Sequence, residues 1–329
     1  MSERRAITLA DVSRAAERLR GHVHRTPVLT STLLDGEYGA SLYFKAEHLQ
    51  RTGSFKVRGA LNALLSLDET PQGVVAFSAG NHAAAVALAA RECGVPAIVC
   101  MPATAYAHKV RAVQAYGGEV VLCDGDLRAE AERIALDRGA TLLHPFDAAL
   151  TMAGQGTVAL ELLDDVPPLD AVVVPVGGGG LLAGVSTVLA ELSPRTRVIA
   201  AEPRAAALVR RSLDEGRAAR HAHPPQTRAD GLAAPFLGEA CLAQFEGRVA
   251  HVIEVTEEDM VIAMSQIMHA MKQVIEPAAA AAVSAAMQCA AAAPTQNIGV
   301  ILSGGNAGPE ALTLAAGGLS SLTWNGTTS

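Results

Sequence analysis

A chain of 329 residues, half of them apolar, is long enough for two domains or one large α/β unit. Aromatic residues make up only 3% and alanine is abundant, which points to closely packed helices rather than a β-sandwich. The formal charge is −7 and the basic residues are dispersed, so nucleic acid is not an expected partner.

The cysteines at 93, 100, 123, 241 and 289 are odd in number and show no C-x-x-C spacing. Neither a disulfide framework nor a cysteine zinc site is expected, and a reducing, cytoplasmic location fits. The start, Met1-Ser-Glu-Arg-Arg-Ala6, lacks the apolar core of a signal peptide. No apolar run reaches the ~20 residues that span a bilayer, so no membrane association is expected.

From about residue 40, strand-like and helix-like segments alternate. A short strand at 42–45 leads to Arg51-Thr-Gly-Ser-Phe-Lys56-Val-Arg-Gly59, where Lys56 opens a helical pattern at 57–66. The partial positive charge at a helix start discourages protonation of an amine there. A free amine can form a Schiff base with an aldehyde. A strand at 74–77 then runs into Ser78-Ala-Gly-Asn-His82, and a helix follows at 81–92. Exposed amides at that junction suit a carboxylate, and Asn81 adds an amide donor. Ser78 or Asn81 could equally be an ordinary N-cap, and His82 reads as a base or a structural partner. Strands at 97–101 and 120–123 alternate with helices at 106–116 and 127–138. Another helix is expected at 156–163, before the linker-like Asp164-Asp-Val-Pro-Pro168.

A strand at 172–175 precedes Gly177-Gly-Gly-Gly180 and a helix at 181–192. Four glycines leave backbone N–H groups unshielded at a helix N-terminus, which binds phosphate well. The run is neither G-x-G-x-x-G nor a P-loop, so a terminal monophosphate is favoured over a nucleotide. A strand at 198–201 follows. The irregular stretch 217–226 carries His221 and His223 without a completing carboxylate or thiol, and reads as a loop rather than a zinc site. After a strand at 252–255 and a helix at 257–270, the alanine-rich 278–293 reads as a tightly packed internal helix. The last strand, 298–302, ends in Ser303-Gly-Gly-Asn306, and the polar tail 319–329 reads as frayed. Short strands apolar on both faces, alternating with helices, imply a parallel sheet covered on both sides. The ends of such strands face a ligand crevice.

A lysine for an aldehyde, a cradle for a monophosphate, a cradle for a carboxylate and a neutral hydroxyl point together to pyridoxal phosphate and an amino-acid substrate. In motif order and spacing, across roughly residues 10 to 310, the chain resembles the fold-type II (tryptophan synthase β-like) pyridoxal-phosphate enzymes of the threonine/serine dehydratase and serine racemase family. The resemblance implies an α/β fold of two domains, each with a mostly parallel sheet flanked by helices. A small domain at 73–147 would be inserted in a large one formed by 1–72 and 148–329, with no C-terminal regulatory domain.

The same resemblance implies site roles. Lys56 would be the catalytic residue and the cofactor's anchor, beside Phe55. Asn81 would hold the ring hydroxyl, and Gly177, Gly178, Gly179, Gly180 and Leu181 the phosphate. Ser303 would bond the pyridine nitrogen, and Glu276, in Val274-Ile-Glu-Pro277, would line the pocket. Ser54, Ser78, Ala79, Gly80, Asn81 and His82 would meet the substrate. The implied reaction is β-elimination of water from a 3-hydroxy amino acid, most simply L-threonine or L-serine, in a homodimer or homotetramer.

Racemases resembling this chain carry a serine at the second loop position as opposite-face base, whereas Ala79 stands here, as in threonine dehydratases. Metal-binding relatives place two carboxylates and a carbonyl after a strand ending like Ala201-Glu-Pro203. Glu202 and the Ala206 carbonyl are present, but Leu208 replaces the second carboxylate, so no metal site is expected. Relatives often have Gln-Gly where Ala83-Ala84-Ala85 follows the loop, which leaves the exact side-chain preference open. A dehydratase for a hydroxyaspartate-like or bulkier 3-hydroxy amino acid, a serine racemase, a β-replacement synthase and a non-catalytic phosphate-binding module remain as alternatives.

Overall fold

The computed structural model describes residues 6–67, 69–78 and 80–318. Ala79 and the tail 319–329 lie outside the described residues. Among those described, two sheets carry the fold. The larger has six strands in the order β1-β2-β10-β7-β8-β9. These are β1 (Val28–Leu29), β2 (Ser41–Lys45), β7 (Ala171–Pro175), β8 (Arg197–Pro203), β9 (Val249–Val255) and β10 (Asn297–Ile301). All neighbours are parallel except β1 on β2. The smaller sheet is wholly parallel, in the order β5-β4-β3-β6. Its strands are β3 (Val74–Phe77), β4 (Ala97–Pro102), β5 (Glu119–Cys123) and β6 (Thr141–Leu142), all from one stretch of chain.

Every residue of β7 is buried. Val172 and Val174 enter one apolar cluster, Ala171 and Val173 the other, so the two-residue period of the strand feeds a core on each face. The alanine-rich segment forms the helix Pro277–Ala292 against β7, β8 and β10, and Cys289 there is half-buried. Small side chains let that helix approach the sheet closely. No helix among the described residues is long and apolar enough to cross a membrane.

The sequence expectation fell short in places. The helix expected at 156–163 runs from Ala149 to Asp165. Gly154 and Gly156 argue against helix by propensity, yet contact requires them. A Cβ on Gly154 would lie 2.6 Å from the Arg58 carbonyl oxygen, and one on Gly184 would lie 2.5 Å from the Gly156 nitrogen. These glycines let three helices cross at backbone distance. The helix Leu9–Leu19, closed by a Thr8–Asp11 capping box, had no counterpart in the sequence reading, nor did the two-residue strands β1 and β6.

Candidate active site

β2, β10 and β7 lie side by side and parallel, so the segments after them emerge at one edge of the sheet. Those segments are the lysine stretch, Ser303–Asn306 and the glycine run. The chain after β10 runs along the lysine stretch. The Phe55 amide donates to the Ser303 carbonyl at 3.1 Å, and the Gly305 amide to the Gly53 carbonyl at 2.9 Å. Ser54 bridges Gly304 in antiparallel fashion. The fourth motif, Ser78–His82, follows β3 of the smaller sheet.

Lys56 is the first residue of the helix Lys56–Leu65. Its Nζ donates to the Pro145 carbonyl at 2.8 Å and lies 5.2 Å from the centre of the Phe55 ring. The amine is held down to about 8. The expected cause was the helix terminus, but the dominant cause is burial, which strips water from the charged form. The nearby Glu276 carboxylate works in the opposite direction.

The glycine run joins β7 to the helix Gly180–Leu192. Gly179 sits at φ +98°, a conformation that only glycine adopts freely. A Cβ on Gly178 would lie 2.4 Å from the Phe146 ring, and one on Gly179 would lie 2.8 Å from Cys241 Cβ. The amides of Gly177, Gly178, Gly179, Gly180 and Leu181 have no acceptor among the described residues. Unpaired amides converging at the start of a thirteen-residue helix are what a phosphate dianion requires.

Asn81 opens the helix Asn81–Cys93. Its amide nitrogen donates to Glu276 Oε1 at 2.7 Å, and its oxygen accepts from Asn306 Nδ2 at 2.8 Å. Asn306 Nδ2 also donates to the Thr52 carbonyl at 2.8 Å. The lysine stretch, the Ser78–His82 loop and the Ser303–Asn306 segment are therefore tied together through side-chain amides. The Glu276 carboxyl is pushed up to about 7, first by burial and then by the charge of Asp230.

Ser303 is buried, and the Ser54 hydroxyl is buried without a hydrogen-bond partner among the described residues. The Ser78 hydroxyl accepts from the Gly80 amide at 3.2 Å. Position 79 lies outside the described residues. His82 is buried, with Nε2 3.1 Å from the Leu143 carbonyl. A cleft of about 630 Å³, lined by Tyr106, Lys109, Arg228, Asp230, Pro277 and Asn306 among others, meets the site at Asn306.

The sequence reading missed several groups that shape this site. The Pro145 carbonyl holds Lys56, and Phe146 packs on the glycine run. Lys109 pairs with Asp230 across the cleft. None of these carries a local signal, because each acts through a contact distant in sequence. The Glu202 carboxylate, considered for a metal, instead accepts the amides of Leu208 and Val209 at 2.8 Å each and of Arg210 at 3.1 Å.

A lysine amine held down to about 8 by desolvation, unpaired amides at a helix start and the buried Ser303 fit pyridoxal phosphate. The comparisons agree. Residues 19–304 match the family of pyridoxal-phosphate dependent enzymes. The serine racemase of Bos taurus is 40% identical over 324 residues, covering 95% of this chain and 97% of its own. The L-threo-3-hydroxyaspartate ammonia-lyase of a Pseudomonas species is 42% identical over 301 residues, covering 90% and 94%. The crystal structure of a threonine deaminase from T.th. superposes with a TM-score of 0.88 at 44% identity, covering 92% of this chain and 99% of that one. The chain belongs to the fold-type II pyridoxal-phosphate dependent enzymes, among their dehydratases and racemases, and pyridoxal phosphate is its cofactor.

Proposed function

We propose that this enzyme is an ammonia-lyase that removes water from a 3-hydroxy amino acid, L-threonine or L-serine, and releases the 2-oxo acid and ammonia. The observation that carries the proposal is the Lys56 amine, held near 8 on the Pro145 carbonyl beside the unpaired amides of the glycine run. When bound, the cofactor supplies an aldehyde for the amine and a ring that accepts the electron pair from Cα. Gly177 to Leu181 would hold its phosphate, Asn81 its hydroxyl and Ser303 its ring nitrogen, while Phe55 and Glu276 would line its pocket.

Ser54, Ser78, Gly80 and Asn81 would orient the substrate carboxylate, with Ala79 and His82 in the same loop. Lys56, depressed enough to be partly a free amine near neutral pH, would take the Cα proton. The hydroxyl on Cβ would then leave with a proton as water. The unsaturated amine left behind hydrolyses to the 2-oxo acid and ammonia. Residues 73–147 would act as a small domain closing on the remainder to keep water from the reacting atoms. Assembly as a homodimer or homotetramer, in the cytoplasm, belongs to the same proposal.

The relatives include racemases, a hydroxyaspartate ammonia-lyase and a threonine deaminase, so their names leave the substrate open. Ala79 favours elimination, because it stands in the sequence where resembling racemases carry a serine as base, and a methyl group cannot move a proton. The test is 2-oxo acid release from the purified enzyme over L-threonine, L-serine, L-threo-3-hydroxyaspartate and bulkier 3-hydroxy acids. Turnover of threonine or serine supports the proposal, and release from neither refutes it.

A further inference from the structure

Lys109 stands where the cleft meets the Ser78–His82 loop. It belongs to the helix Ala107–Ala115, whose Val113 packs with Val99 and Met101 of β4. A Cβ on Gly80 would lie 3.9 Å from Lys109 Nζ, so the amine sits beside that loop. Nζ is also 5.7 Å from the centre of the Tyr106 ring, which favours a cation over its face. The side chain is only 16% exposed, although Lys109 lines the cleft.

Asp230 reaches the same point from the other wall. It opens the single turn Asp230–Leu232. A Cβ on Gly231 would lie 3.6 Å from Glu276 Oε1 and 4.0 Å from Asn81 Nδ2, and one on Gly177 would lie 2.9 Å from Leu232 Cα. The turn is thus seated against residues proposed to hold the cofactor. From there the Asp230 carboxylate accepts from the Lys109 amine. The Asp230 side chain is 51% exposed, and a pair so open to water adds little to stability. What it does fix is the state of the cation beside Gly80.

The rest of the cleft is charged in the same sense. The Arg228 guanidinium meets Glu310 at 3.1 Å, and the Arg228 amide donates to Glu257 at 2.9 Å. Lysine and arginine bring two charges to the lining, and carboxylates bring three. An acidic side chain entering here meets surplus negative charge and cations already matched. A methyl group or a hydrogen in its place meets no such penalty.

We propose that the Lys109–Asp230 pair determines which 3-hydroxy amino acid is accepted: Asp230 withholds the Lys109 amine from the substrate, so a neutral side chain is taken and a second carboxylate is turned away. This rests on the reaction proposed above and deepens it. The Ser78–His82 loop would take the first carboxylate. Lys109, beside Gly80 on the cleft side, is then the cation within reach of a second one on the same molecule. Neither residue moves a proton in the reaction, so both are specificity determinants.

Asp230→Asn, Lys109→Met and the double variant test this in the full-length holoenzyme. The first readout is the ratio of kcat/KM for L-threo-3-hydroxyaspartate to that for L-threonine. Effects common to both substrates, such as the changed charge near Glu276, cancel in that ratio. The second readout is binding without turnover. L-aspartate and L-2-aminobutyrate lack the leaving hydroxyl, and the dissociation constant of each is read from the change in cofactor absorbance.

The wild type should prefer threonine. Asp230→Asn should raise the ratio roughly 10-fold, the lower end for a hydrogen bond to a charged group, and tighten L-aspartate by a similar factor with L-2-aminobutyrate unchanged. The double variant should lose that gain, because no cation remains to be freed. An unchanged ratio in Asp230→Asn, or a gain that survives in the double variant, would overturn the proposal. So would an equal loss on both substrates in Asp230→Asn, which would make the pair a clasp between the cleft walls. A KM raised equally for both substrates by Lys109→Met would assign the amine to the first carboxylate and also overturn it. If neither substrate yields a 2-oxo acid in any of these proteins, the proposed reaction fails, whereas the L-aspartate affinities still decide the role of the pair.

Discussion

Arg58 lies two residues beyond Lys56 on the same helix and is wholly buried. Its guanidinium meets Glu47 twice at 2.8 Å and Glu161 at 2.7 and 2.8 Å. Lys45 bonds Glu161 at 2.7 Å, so two cations and two carboxylates balance. Replacing Arg58 with Met leaves one cation for two carboxylates, and Glu47, fully buried, retains only the Thr26 hydroxyl as a close donor among the described residues. Stranding a buried charge in this way costs about 3–5 kcal/mol. With an unfolding entropy of ~2.1 cal/mol/K per residue, a chain of 329 residues loses about 1.5 °C per kcal/mol, so the melting temperature should fall by roughly 4–7 °C.

The pH dependence gives a sharper check. Arg58 and Lys45 hold Glu161 below the ordinary carboxylate range against burial, which acts the other way and is the largest single influence. A depressed folded value contributes stability above the unfolded pKa, and that contribution fades as pH falls through the folded value. The deficit of Arg58→Met should therefore be full at pH 7 and shrink as the pH falls into the acid range, where Glu161 takes up its proton. Adding Glu47→Gln should recover part of it. Thermal melts of wild type and both variants from pH 4 to 8 test this. A deficit under 1 kcal/mol, or one that ignores pH, would refute the reasoning.

Lys56→Ala should abolish covalent capture of the cofactor, read as loss of the mass adduct after borohydride reduction, and lower turnover by orders of magnitude. Near-normal activity would sink the mechanism. Gly179→Asp sets a side chain at φ +98° against Cys241 and a negative charge near the phosphate, so titration should show at least a roughly tenfold weaker affinity for pyridoxal phosphate. An unchanged affinity would mean that the run only turns the chain. With L-serine as substrate, dehydration should far outrun racemisation, and rapid build-up of D-serine on chiral analysis would overturn the role given to Ala79. EDTA should leave the melting curve unmoved, because the Glu202 carboxylate is occupied by three backbone amides. A drop of several degrees restored by magnesium would contradict that.

The site was legible because its chemistry sits where strands end. The strand-to-loop junctions at Lys56, Ser78–His82, Gly177–Gly180 and Ser303 are local features, and each is written in consecutive residues. The register that makes neighbours of them is not local. β10 was the last strand in the sequence, yet it lies between β2 and β7 and brings Ser303 to Phe55. Only the resemblance to a family anticipated that juxtaposition.

Glu202 shows why residue types at matching positions do not by themselves define a site. Its burial raises the pKa of the carboxyl and makes an unpaired carboxylate costly. A cation can meet that demand, but so can backbone amides. Leu208 adds no oxygen, yet its amide and those of Val209 and Arg210 converge on Glu202. The Leu208 side chain is buried in the apolar cluster that also contains Val174 and Val209. A second carboxylate in its place would have to leave that cluster or ionise inside it. The apolar residue and the amide-bound carboxylate are therefore parts of one arrangement, visible in the sequence only as a missing ligand and in the structure as a filled acceptor.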